Sequence, residues 1–100
     1  MSDWETASVV ITHDVGLHAR PSVALTKLAK GFGASIEIAG SVEGPWIDAK
    51  SIVKVMAMRA KQHSRLHVRA TGADAASAIS ALIGLVERDF AEAGGHGPAA

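Results

Sequence analysis

Residues 65–72 read Arg65-Leu66-His67-Val68-Arg69-Ala70-Thr71-Gly72. Leu66, Val68 and Ala70 alternate with Arg65, His67 and Arg69, the period-two pattern of a strand with one face buried and one in water. Gly72 punctuates it. A strand wet on one side belongs to a sheet that keeps its helices on the other side. Downstream, Ile79, Leu82, Ile83, Val86 and Phe90 recur at helical spacing and predict a long last helix from about Asp74 to Ala91. Upstream, Ser51 precedes Ile52, Val55 and Met56, so a short helix over 52–58 is expected with Ser51 as its N-cap.

The other strands read less strongly. Ser35-Ile36-Glu37-Ile38-Ala39 alternates, with Ile36 and Ile38 inward and Glu37 outward. Residues 6–12 are rich in β-branched side chains, with Val9 and Ile11 sharing one face. Turn residues from Gly40 to Pro45 predict a hairpin into a short strand near 46–50. Leu25, Leu28, Ala29 and Phe32 mark a first helix over 19–31, stopped by Gly31 and Gly33. The order is β-α-β-β-α-β-α. It predicts an α+β open-faced sandwich, a four-stranded antiparallel sheet with three helices on one face. Residues 1–93 are expected to form one domain and 94–100 a flexible C-terminal tail.

The totals narrow the function. A chain of 100 residues, 48% hydrophobic, suffices for one core without metal or disulfide staples. Ten basic and ten acidic side chains cancel, which argues against bulk nucleic-acid binding. Cysteine is absent, so thiol chemistry, disulfides and cysteine-ligated zinc are excluded. Met1-Ser2-Asp3-Trp4-Glu5 lacks the layout of a signal peptide, and no apolar run nears the ~20 residues that span a bilayer. A cytoplasmic protein without membrane insertion is the expectation.

The candidate chemistry lies in Gly16-Leu17-His18-Ala19-Arg20-Pro21, at the mouth of the first helix. Pro21 is tolerated in a first turn because its missing N–H has no intrahelical partner there. His18 then stands ahead of free backbone amides and the positive end of the helix dipole, where phosphate oxygens are well received. Arg20 can add a charge-assisted contact to the same oxygens. The pattern fits a phosphohistidine site that needs no cofactor and no metal. The competing reading is a surface histidine acting as a weak N-cap beside a solvated arginine.

Three landmarks, Gly16–Pro21, Ala49-Lys50-Ser51-Ile52 with Val55-Met56, and Gly72-Ala73-Asp74-Ala75, fall in register over residues 6–91. Together they resemble HPr, the histidine-containing phosphocarrier family of the bacterial phosphotransferase system. The resemblance implies that His18 accepts a phosphoryl group from enzyme I, itself charged by phosphoenolpyruvate, and passes it to an EIIA-type acceptor. It implies Nδ1 as the reactive atom, with the amides of Ala19 and Arg20 receiving the phosphate. Such a chain is a covalent carrier rather than a stand-alone enzyme, and a monomer. The resemblance also implies regulatory phosphorylation of Ser51 by an HPr kinase. A purely regulatory module in nitrogen or carbon signalling, set by Ser51 or His18 phosphorylation and without sugar transport, is the alternative.

The expected partner interface is Ala19, Arg20, Lys27, Ile52, Val53, Lys54 and Met56, with Ile52 and Met56 open to a core role instead. Lys54 stands where many members of the family have glycine, and Val53 where many have a larger apolar residue. His63 stands where a glycine turn is usual, so a positive φ there strains it. The stretch from Gly40 to Ile47, with Trp46, is longer than the common tight hairpin. His63 and His67 have metal-ligand spacing, but without a carboxylate or cysteine nearby they make a poor zinc site. Arg59, Lys61, Arg65 and Arg69 form a basic run. An RNA-binding sheet adds stacking aromatics to its open face, and none is read there. His13 is expected in a loop near the site.

Overall fold

The computed structural model describes residues 4–14 and 16–91. The expected tail, residues 94–100, lies outside the described residues, as do both ends of the 1–93 domain. Seven elements follow in the predicted order: β1 (Glu5–Val10), α1 (Ala19–Lys30), β2 (Ser35–Ala39), β3 (Ile47–Asp48), α2 (Ile52–Met58), β4 (Arg65–Thr71) and α3 (Ala75–Glu87). The strands form one sheet in the order β1-β4-β2-β3, antiparallel at every pairing. This is the open-faced α+β sandwich that the alternation of residues 65–70 predicts. Among the described residues no helix is long and apolar enough to cross a membrane.

The alternation decides the core. Leu66, Val68 and Ala70 are fully buried, as are Ile36 and Ile38 on the neighbouring strand. They meet Leu25 and Ala29 of α1, Val55 of α2, and Ala78, Leu82 and Val86 of α3 in one cluster. Burying a Leu, Ile or Val side chain stabilises by about 1.5–3 kcal/mol, so these rows hold the helices on one face of the sheet.

Several boundaries differ from the sequence reading. β1 ends at Val10, two residues early, because Ile11 bonds the loop before β4 instead of the ladder: its N–H donates to Ser64 O and its carbonyl accepts from His63 N. β3 shrinks to two residues at the sheet edge. α1 closes at Lys30, with Gly31 as its C-cap. The correction at α3 is larger. The helix stops at Glu87, since Asp89 and Phe90 take positive φ (55° and 64°) and Phe90 N–H reaches back to Leu85 O at 2.8 Å. Phe90 still reaches the core, through this left-handed turn rather than through a continued helix.

Asp74 does not cap α3 with its side chain. Its carboxylate instead accepts from Gly33 N and Ala34 N at 3.0 and 2.8 Å, tying the start of α3 to the loop before β2. His63 takes φ 73°, as its place in the turn implies. Glycine relieves such strain at little cost elsewhere, so His63→Gly is expected to raise stability by ~1 kcal/mol in urea denaturation. A drop in the midpoint would mean that the imidazole makes compensating contacts.

The open face carries a correction. Aromatic side chains do lie there: the Arg69 guanidinium sits 4.4 Å from the Trp4 ring centroid and 4.3 Å from that of Trp46. The same arginine holds Glu37, its cross-strand partner, at 2.5 Å. The indoles thus stack on an ion-paired arginine, a cation–π arrangement in place of a base-stacking platform.

Candidate functional site

Gly16, Leu17 and His18 are placed by tertiary contacts before α1 begins. Gly16 adopts φ +63°, and a Cβ there would collide with the Ala60 carbonyl and lie 3.0 Å from Lys61 Cα. Its N–H closes a turn onto His13 O at 2.9 Å. Leu17 is buried, and its N–H donates to Ala60 O at 2.8 Å. The segment after α2 is therefore pressed against the segment before α1, and His18 emerges from the joint.

His18 occupies the N-cap of α1 with extended backbone (φ −117°, ψ −172°). Its carbonyl accepts from Ser22 N at 2.9 Å, the first bond of the helix. Its side chain makes no capping hydrogen bond and is exposed. The competing reading of the imidazole as a weak cap is not what the structure shows. Pro21 lacks an N–H and that of Ser22 is taken, so the amides of Ala19 and Arg20 are the ones without an intrahelical acceptor.

The ring borders an open groove of about 830 Å³, walled by Leu17, Val53, Met56, Arg59 and Lys61, with Asp14 at one edge. A second groove of about 630 Å³ shares Ala57, Arg59, Ala60 and Lys61 with it and adds Lys54. Among the expected interface residues, Val53 is 74% exposed, Ala19, Lys27 and Lys54 are exposed, and Ile52 and Met56 are half-buried. Val55 alone of the α2 stripe is core. Ile52 and Met56, half-buried, are neither core like Val55 nor fully open. Ser51 caps α2 as predicted, its hydroxyl accepting from Lys54 N at 3.3 Å.

Arg20 is exposed and lines a different hollow, with His13, Val23, Asp89 and Phe90. His13 indeed lies in the loop after β1, its ring edge-on to Phe90 at 5.8 Å and its Nδ1 3.4 Å from Asp14. The cations walling the His18 groove are Arg59 and Lys61, which the sequence reading placed in a basic run with Arg65 and Arg69. The fold splits that run: Arg65 reaches Ser8 Oγ at 3.0 Å, and Arg69 joins the open face. A helix end without glycine left no local sign of where Arg59 points. Among the described residues no cluster of three or more His, Cys, Asp or Glu is placed to hold a metal.

A family model described as "PTS HPr component phosphorylation site" matches residues 5–88. The chain belongs to the HPr phosphocarrier family. It is 43% identical over 76 residues to phosphocarrier protein HPr of Mycoplasma capricolum, covering 75% of this chain and 82% of that one. Phosphocarrier protein NPr of Escherichia coli is 32% identical over 85 residues, covering 85% and 93%. The crystal structure of an HPr from Thermoanaerobacter tengcongensis superposes with a TM-score of 0.80 at 31% identity, covering 88% of this chain and 97% of that one. As an HPr-type phosphocarrier of the phosphotransferase system, this chain carries out a relay role.

Proposed function

We propose that His18 is the phosphoryl acceptor, charged by enzyme I and discharged to an EIIA-type protein. The observation that carries this reading is an exposed imidazole at the N-cap of α1 whose ring is not spent on capping. A neutral ring nitrogen forms the N–P bond as the donor's bond to phosphorus breaks. The amides of Ala19 and Arg20 face the developing charge with the helix dipole behind them. Contributions of ~1 kcal/mol each keep the phosphorylated state reversible, as a carrier requires. Incubation with enzyme I and phosphoenolpyruvate is expected to place one acid-labile phosphate on the protein, which an EIIA-type protein then removes. No uptake would exclude the reading.

Arg20 lies two residues past His18 in the first turn of α1, and we assign it an electrostatic share in transfer. Arg20→Ala is expected to slow phosphoryl uptake about tenfold without abolishing it. An unchanged rate would remove Arg20 from the site. Docking is assigned to Ala19, Lys27, Ile52, Val53, Lys54 and Met56, apolar residues flanked by lysines that steer an acidic partner. The carrier is taken as a cytoplasmic monomer, one domain over residues 1–93.

Ser51 is proposed as a regulatory phosphorylation site for an HPr kinase. A phosphate there adds about −1.5 to −2 charge beside Val53 and Lys54 on the docking face, which repels acidic partners. Mass spectrometry after incubation with such a kinase is expected to show one modification at Ser51; an unmodified residue counts against it. The second reading, a regulatory relay without sugar transport, draws on the likeness to NPr and on the exposed Val53-Lys54 pair.

A further inference from the structure

We infer that Arg59 is a phosphoryl-binding residue of the His18 site, a role that rests on the carrier reading above. Arg59 is the C-cap of α2 and sits in the left-handed region at φ 55°, ψ 39°. That conformation suits glycine and strains an L side chain, and strain of this kind gathers where function maintains it. The side chain so placed lines the groove that His18 borders, with Lys61 on the same wall. Among the described residues no carboxylate pairs with the Arg59 guanidinium, and Asp14, the acid of that groove, is turned to His13.

The backbone around Arg59 is also fixed. Its N–H bonds Met56 O at 3.2 Å, and the next residue, Ala60, holds Leu17 N at 2.8 Å. One hydrogen bond thus registers the α2 exit against the residue before His18. Arg59 lies at this exit, in the wall shared by the His18 groove and the second groove. It supplies charge-assisted donors to phosphoryl oxygens that the amides do not cover.

A small phosphoryl donor tests this without any docking protein. With phosphoramidate, protonated on its nitrogen, the lone pair of a His18 ring nitrogen forms the N–P bond, the donor's P–N bond breaks with its electron pair going to that –NH3+ nitrogen, and neutral ammonia leaves. Arg59→Gly removes the cation and also relieves the left-handed strain. It is expected to raise Tm by a few degrees while slowing His18 labelling about tenfold. Stability and rate moving in opposite directions separate lost chemistry from lost folding. Arg59→Lys keeps the charge on the same backbone and is expected to retain most of the rate. Labelling of Arg59→Gly at the unaltered protein's rate overturns the assignment, as does Arg59→Lys labelling as slowly as Arg59→Gly. If the unaltered protein itself takes no label on His18, the carrier reading fails first and the assignment falls with it.

Discussion

His18→Ala is expected to abolish acid-labile phosphate uptake from enzyme I while leaving the fold intact. On the proposed reading the imidazole is the nucleophile, and among the described residues no second imidazole lines its groove. The other ring of the region, His13, is edge-on to Phe90 and lines the hollow on the Arg20 side, away from the groove that His18 borders. The loss is therefore complete, not partial. Structure survives because the His18 ring makes no capping bond, and the bond that starts α1 uses the His18 carbonyl, which alanine keeps. The stability change should stay under ~1 kcal/mol. Radiolabelling checks the first half and thermal unfolding the second. Residual acid-labile label on the variant would move the acceptor elsewhere.

Gly16→Ala should be the most damaging conservative substitution near the site. Alanine at φ +63° carries left-handed strain, and its Cβ runs into the backbone of Ala60 and Lys61 rather than into a yielding side chain. The two effects add, so a loss of ~3 kcal/mol or more is expected. Relief requires the 16–18 segment to leave the α2 exit, which breaks the Leu17–Ala60 bond and displaces His18. Phosphate uptake should fall even where the variant still folds. Urea denaturation with parallel labelling reads both, and an unchanged midpoint would show that this contact is softer than it looks.

The sheet was legible because its signal is local and repeated. Residues 35–39 and 65–70 alternate cleanly, and one face of each is buried as the pattern demands. The α2 start was legible because a serine cap precedes an apolar stripe, and the turn at His63 because a glycine position is filled. What escaped depends on non-glycine residues in left-handed conformations. Asp89 and Phe90 end α3 early; the end of α2 at Met58 was legible, but the left-handed turn of Arg59 just beyond it, among the groove-lining residues, was not. No helix propensity announces such stops, since tertiary contacts impose them. The stack of Trp4, Arg69 and Trp46 escaped for a related reason. Its members lie outside β1, in β4 and in the turn before β3, and only strand pairing brings them together.

That stack has a practical consequence. Both indoles of the chain are held by one arginine on the side of the sheet opposite the helices, so emission from them monitors sheet integrity and is insulated from events at the helix mouth. Optical melting and phosphate chemistry can then be followed in one sample as independent channels, which lets damaged folding be told apart from damaged relay without a foreign dye.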